Sequence, residues 1–134
     1  MGAALLCFVP GGMSFEQYFQ LSGHSEDEQA LRLMLGLAPS LLQMKYLVDA
    51  SRADFQARRG PSTPMACELC TGFAVTYALK ILLGRGDLVV APRGIHFYAY
   101  RNRLARTWRP WGNRNPLQRL GLMIARRRVM SGTR

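Results

Sequence analysis

The tetrapeptide Cys67-Glu68-Leu69-Cys70 has the spacing of half a zinc site, of a redox dithiol, or of two small apolar residues one helical turn apart. Tetrahedral zinc needs four ligands, so Cys67 and Cys70 would have to recruit two from Cys7, His24 and His96, and no second spaced pair supplies them. A redox pair gains from the positive end of a helix, which favours the thiolate of a first-turn cysteine, but the preceding strand of a thioredoxin-like unit is missing. Packing asks least of the chain. Cysteine is small and often buried, and Cys70 falls on the apolar stripe of the helix that follows. Packing is therefore the preferred reading, with zinc and redox chemistry as the alternatives.

Nucleophilic catalysis has a thin basis. Cys70 with His96 is one pairing the sequence leaves open. His96 lies in "IHFYAY", where alternation sets it on the opposite face from Phe97 and predicts a solvated or hydrogen-bonded strand histidine. The clustered carboxylates, Glu26, Asp27 and Glu28, read as the charge complement of a helix start.

Arginine supplies the other chemistry. The chain of 134 residues carries a net charge of +10, and ten of its 18 basic residues fall in 101–134, where no acid stands. Arg101, Arg103, Arg106, Arg109, Arg126, Arg127 and Arg128 are the candidates for holding a polyanion, because guanidinium groups bind phosphate in a bidentate fork. Tyr98, Tyr100, Trp108 and Trp111 stand among them and would stack on unpaired bases. The plainer reading, which we prefer, has Trp108 and Trp111 clamping the last helix onto the strands before it. An amphipathic last helix lying on anionic lipid is a third possibility, since Arg126, Arg127 and Arg128 flank its apolar face.

These residues need elements to hold them. At 49% hydrophobic and 19% charged, the chain suits one globular domain. The start, "MGAALLCFVPGG", has no basic region before its apolar run, so no signal peptide is expected and the cytoplasm is the expected location. No uninterrupted apolar run approaches the roughly 20 residues that cross a bilayer, so no membrane span is expected. "AALLCFV" (3–9) reads as a strand buried on both faces. Ser14 caps a short helix, and Ser25 with Glu28 forms a capping box before "QALRLMLGL". Ser40 is placed to cap a further helix over 41–50, with Leu41, Met44, Leu47 and Val48 on one face.

The helix through the cysteines is the best specified. Thr63 is its N-cap, Pro64 its first residue and Gly84 its stop, with Cys70, Phe73, Ala74, Tyr77, Ala78, Ile81 and Leu82 as its inner stripe. A β-meander follows through Val89-Val90, "IHFYAY" and "RLARTW", with Pro92-Arg93-Gly94 and Arg101-Asn102-Arg103 as turns. The basic region 105–134 then extends the domain and ends in a helix with Leu117, Leu120, Ile124 and Leu122 inward. The fold class is α/β.

Two stretches resemble a known family. "GPSTPMACELCTGFAVTYALKILLGRG" (60–86) followed by "VVAPRGIHFYAYRNRL" (89–104) is similar to the C-terminal half of ThiF/MoeB/HesA-type proteins, relatives of ubiquitin-activating enzymes. The likeness lies in a long helix running through Lys80 into a Gly84-Arg85-Gly86 stop, and in the strand after it. The opening "ALLCFVPGGMSFEQYF" resembles the family's strand entering its crossover region, so the likeness spans at least residues 3–104. Tyr77 departs from the glutamate common in that helix, and Tyr98 or Ala99 from the aspartate of that strand.

The resemblance implies the C-terminal half of a Rossmann-like fold and a role in ATP-dependent adenylation of the C-terminus of a ubiquitin-like or sulfur-carrier protein. It implies ATP and magnesium for the complete domain, and in some members a zinc held by two Cys-x-x-Cys pairs. This chain has no Gly-x-Gly-x-x-Gly turn to seat the phosphates. The expectation is thus one incomplete domain over 1–134, a fragment or short paralogue inactive by itself and holding no cofactor. It would act as a homodimer or beside a chain that supplies the missing half. The alternative is a small basic nucleic-acid-binding module working through the Arg/Trp-rich C-terminal region.

Overall fold

The computed structural model describes residues 2–40, 42 and 63–131. Among them are three strands and four α-helices in the order β1 (Gly2–Leu5), α1 (Phe15–Phe19), α2 (Glu26–Leu37), α3 (Pro64–Leu83), β2 (Arg93–Tyr98), β3 (Arg103–Trp108) and α4 (Pro116–Ser131). The strands form one antiparallel sheet in the order β1-β2-β3. The helix expected over 41–50 lies outside the described residues. The architecture is mixed α/β.

The sheet is built on the central strand β2. Ala3 faces Phe97 and Leu5 faces Ile95 on one side, while Phe97 faces Leu104 and Ile95 faces Arg106 on the other. Period-two alternation then sorts the side chains. Gly94, His96 and Tyr98 are buried on one face, and Arg93, Ile95 and Phe97 share the face on which α3 lies, where Phe73 stacks on Phe97 at 6.2 Å. The third member of the sheet is therefore β1 and not Val89-Val90. Val90 makes only an isolated parallel bridge to Cys7, closed by the Ala91 N–H donating to the Cys7 carbonyl at 2.8 Å. β1 also differs from the two-faced buried strand expected of "AALLCFV". It ends at Leu5, sits at the sheet edge, and buries only Ala3. A short apolar run fits a buried strand and a helix-covered edge equally well, so periodicity does not separate them.

The core gathers around α1. Ser14 caps it with the expected hydroxyl, and Gln17 completes a reciprocal box. Tyr18 and Phe19 are buried, with Ala91, Leu6, Phe8 and Leu33 packed on them, and the Tyr18 hydroxyl donates to the Gly36 carbonyl at 3.1 Å. Burial pushes the Tyr18 hydroxyl pKa upward. At the N-terminus of α2 the capping box does not form. Ser25 is the N-cap without a side-chain bond, because the Glu28 carboxylate is drawn instead to Arg32 (2.8 Å) and to Arg126 of α4. Charge-assisted bonds to guanidinium outcompete the neutral cap.

The helix α4 presents a different stripe from the one expected. Leu122 and Gln118 are buried, with the Gln118 amide donating to the Leu35 carbonyl at 3.1 Å, while Leu117, Leu120 and Ile124 are exposed. Gly121 lies on the side of α4 that faces α2, where a Cβ would come within 2.9 Å of the Leu35 Cδ2.

Candidate functional site: an arginine–tryptophan cleft

The helix α3 forms as its punctuation predicts. The Thr63 hydroxyl accepts from the Ala66 N–H, Pro64 opens the helix and Gly84 closes it at φ +58°. Its inner stripe is Ala66, Leu69, Phe73, Tyr77 and Lys80, which leaves Cys67 and Cys70 exposed and both thiols free. The expectation that Cys70 packs inward does not hold. Phe73 and Tyr77 set the angle, because the aromatic pair Phe73–Phe97 and the close fit on β1 bury more surface than a cysteine does. Among the described residues no group of three His, Cys, Asp or Glu side chains stands close enough to hold a metal ion, so Cys67 and Cys70 have no recruited ligands there. The same finding leaves no acidic cluster for magnesium among the described residues.

His96 pairs with a hydroxyl rather than a thiol. Its Nδ1 lies 2.5 Å from the Ser40 Oγ, and its ring meets Tyr98 edge-on. Burial pushes the imidazole pKa below its ordinary value, so the neutral ring is favoured and can accept the hydroxyl proton. A neutral His beside Ser is the first half of a nucleophilic dyad. Here it is sealed, since His96 is only 4% exposed, and it joins β2 to the turn that follows α2.

The candidate arginines do not converge on one surface. Arg103 and Arg106 stand three residues apart on β3 and so point to opposite faces. Arg109 is half-buried, its Nη1 donating to the Trp108 carbonyl and its Nε buried. Arg126 is tied to Glu28, with its Nε donating at 2.8 Å. Arg101 and Arg127 each have a partner. Arg128 lies in α4 where only the backbone is described. Arg106 is different. It shares a cleft of about 420 Å³ with Arg93, Trp108, Val89 and Val90.

In this cleft Arg93 and Trp108 are register partners and Arg106 is the diagonal neighbour of Arg93 on the same face. Among the described residues neither guanidinium makes an ion pair or a hydrogen bond, and Trp108 is 62% exposed. Trp111, at 65%, is exposed too, so neither tryptophan clamps α4 onto the sheet. Two guanidiniums without an ion pair among the described residues, beside an open indole, have the chemistry to take a phosphate on the arginines and an aromatic ring on the tryptophan. Sequence reading missed Arg93, which it placed in a turn. Extending the alternation of "IHFY" back by two residues would have put Arg93 on the strand, on the face of Ile95. No protein-family model, no curated protein and no solved structure matches this chain.

Proposed function

We propose that this chain is the part of a ThiF-type adenylyltransferase that stands beside the nucleotide-binding half, the C-terminal half of a Rossmann-like unit. ATP and magnesium would be held by residues outside 1–134. In that reaction a C-terminal carboxylate of a ubiquitin-like or sulfur-carrier protein attacks the α-phosphate of ATP, and pyrophosphate leaves. Magnesium, when bound, would supply neutralisation of the charge on the leaving pyrophosphate. This chain's residues complete the sheet and present the carrier, in the cytoplasm.

The observation that carries the reading is the edge strand β1. Its outer edge has no strand partner among the described residues, as expected of a strand that the rest of a larger sheet would pair with. The lone chain is expected neither to bind ATP by calorimetry nor to exchange pyrophosphate. Mixed with a polypeptide that carries a Gly-rich strand–turn–helix, it is expected to form a complex that does exchange. Micromolar ATP binding by the lone chain, or no complex with any such polypeptide encoded in the source organism, refutes the reading.

The cleft supports a second function, the binding of single-stranded nucleic acid. Arg93→Ala with Arg106→Ala would then weaken oligonucleotide binding and flatten its salt dependence by about 0.7 in log K against log salt for each phosphate no longer neutralised. Binding that is unchanged in this double variant sinks it.

A further inference from the structure

Both thiols of the Cys67–Cys70 pair stand in solvent on one long helix. They lie in the first two turns of α3, and each is exposed and free. By length and composition alone this helix is also apolar enough to cross a membrane, which the sequence reading did not anticipate. Regular helix surrounds the pair. The Cys67 N–H donates to the Thr63 carbonyl at 3.1 Å, and the Cys67 carbonyl accepts from the Thr71 hydroxyl at 3.0 Å. Farther along, Phe73 stacked on Phe97 and the buried Tyr77 anchor the helix.

That backbone decides what two thiols three residues apart can do. Helical neighbours at this spacing hold their Cβ atoms about 5–6 Å apart on one side of the helix. A disulfide requires about 3.5–4.5 Å between Cβ atoms, so the pair cannot close on itself without unwinding the turn. A cation between the sulfurs relaxes that demand. With metal–sulfur bonds of about 2.3 Å the two sulfurs stand roughly 4–4.6 Å apart, which side chains on adjacent turns reach by choice of rotamer.

The ligand set then selects the ion. Among the described residues no third His, Cys, Asp or Glu joins the pair, and Cys7 stands apart at its bridge to Val90. Zinc takes four ligands in a protein site. Monovalent copper is soft, prefers thiolate to harder donors, and is satisfied by two sulfurs in line. We propose that Cys67 and Cys70 bind one monovalent copper ion per chain in a two-sulfur site on the exposed start of α3. Both thiols lose their protons to solvent as the two copper–sulfur bonds form, and neither sulfur nor copper changes oxidation state. The site stands whether the chain serves adenylation or binds nucleic acid.

Anaerobic titration of the reduced full chain with monovalent copper, in competition with the chromophoric chelator bicinchoninate, tests it. One copper per chain is expected, with two sulfurs on the metal by X-ray absorption. Cys67→Ser and Cys70→Ser should each weaken binding by at least the roughly 100-fold that loss of even an outer-shell partner reaches. Cys7→Ser should leave it unchanged. Moving the second thiol probes the helix geometry. C70S/T71C keeps a thiol one turn away and should return to within about tenfold of wild type, whereas C70S/G72C turns it to another side and should not. Circular dichroism should show the same helical content in every variant, so that lost binding is not lost folding. Copper held equally well by the serine variants, one ion shared between two chains, or an intrachain disulfide that forms in oxidised glutathione with the helix intact overturns the proposal.

Discussion

Gly112 is where a single added methyl group should cost most. It follows Trp111 in a left-handed turn, at φ +55°, and the turn presses on the end of α1. A Cβ at Gly112 would overlap the Tyr18 carbonyl oxygen and approach the Tyr18 Cα at 2.7 Å. These are backbone atoms, so no side-chain rotation relieves the clash, and the next residue, buried Asn113, holds the joint shut. Its amide donates to the carbonyls of Phe19 (2.9 Å) and Arg32 (3.1 Å). Gly112→Ala takes on roughly 1–2 kcal/mol for the left-handed backbone and about 1–3 kcal/mol for overpacking. A loss of about 3–4 kcal/mol lowers the melting temperature of a chain this long by about 10–15 °C. Urea denaturation of Gly112→Ala beside Gly23→Ala separates the two contributions. Gly23 has a similar φ of +78°, but nothing lies within 4 Å of its Cβ, so that variant carries the backbone cost alone. Equal destabilisation in the two variants would refute the idea that α1 and the Trp111–Gly112 turn are in hard contact.

Two further predictions concern pH. Burial holds the His96 pKa below its ordinary 6.5, so the unfolded chain takes up this proton before the folded one does. Stability is therefore full above pH 6.5 and falls as pH drops from there toward the depressed value, by at most about 1.4 kcal/mol per pH unit for one proton. His96→Asn should abolish that slope, and an unchanged slope in pH-dependent urea titrations would show that His96 is not its source. The hydrogen bond from Arg126, aided by Arg32, holds the Glu28 carboxyl below its ordinary 4.5, so its contribution is present above pH 4.5 and is lost as pH falls through the lowered value. Glu28→Gln should cost about 1 kcal/mol at pH 7 and flatten the acid limb below pH 4.5, while a variant with wild-type stability at both pH values would show that the α2–α4 ion pair contributes nothing.

Local signals were legible in the sequence. Ser14, Thr63, Pro64 and Gly84 marked helix ends because a cap is chosen by residues three or four positions away, and their structure agrees. The hairpin of β2 and β3 was visible for the same reason, in its alternation and its turn at Asn102. Which face of each element turns inward was decided only by tertiary contact. The cysteine helix is apolar nearly all round, so its pattern could not choose between Cys70 and Tyr77. The strand β1 and the aromatic fit of Phe73 on Phe97 made that choice. The helix α4 turns Gln118 rather than Leu117 and Leu120 toward α2, and Glu28 abandoned a cap for an arginine nearly a hundred residues ahead. The cleft followed the same rule. Arg106 was nameable from composition, but its separation from Arg103 and its meeting with Arg93 and Trp108 depend on strand register, which no single segment contains.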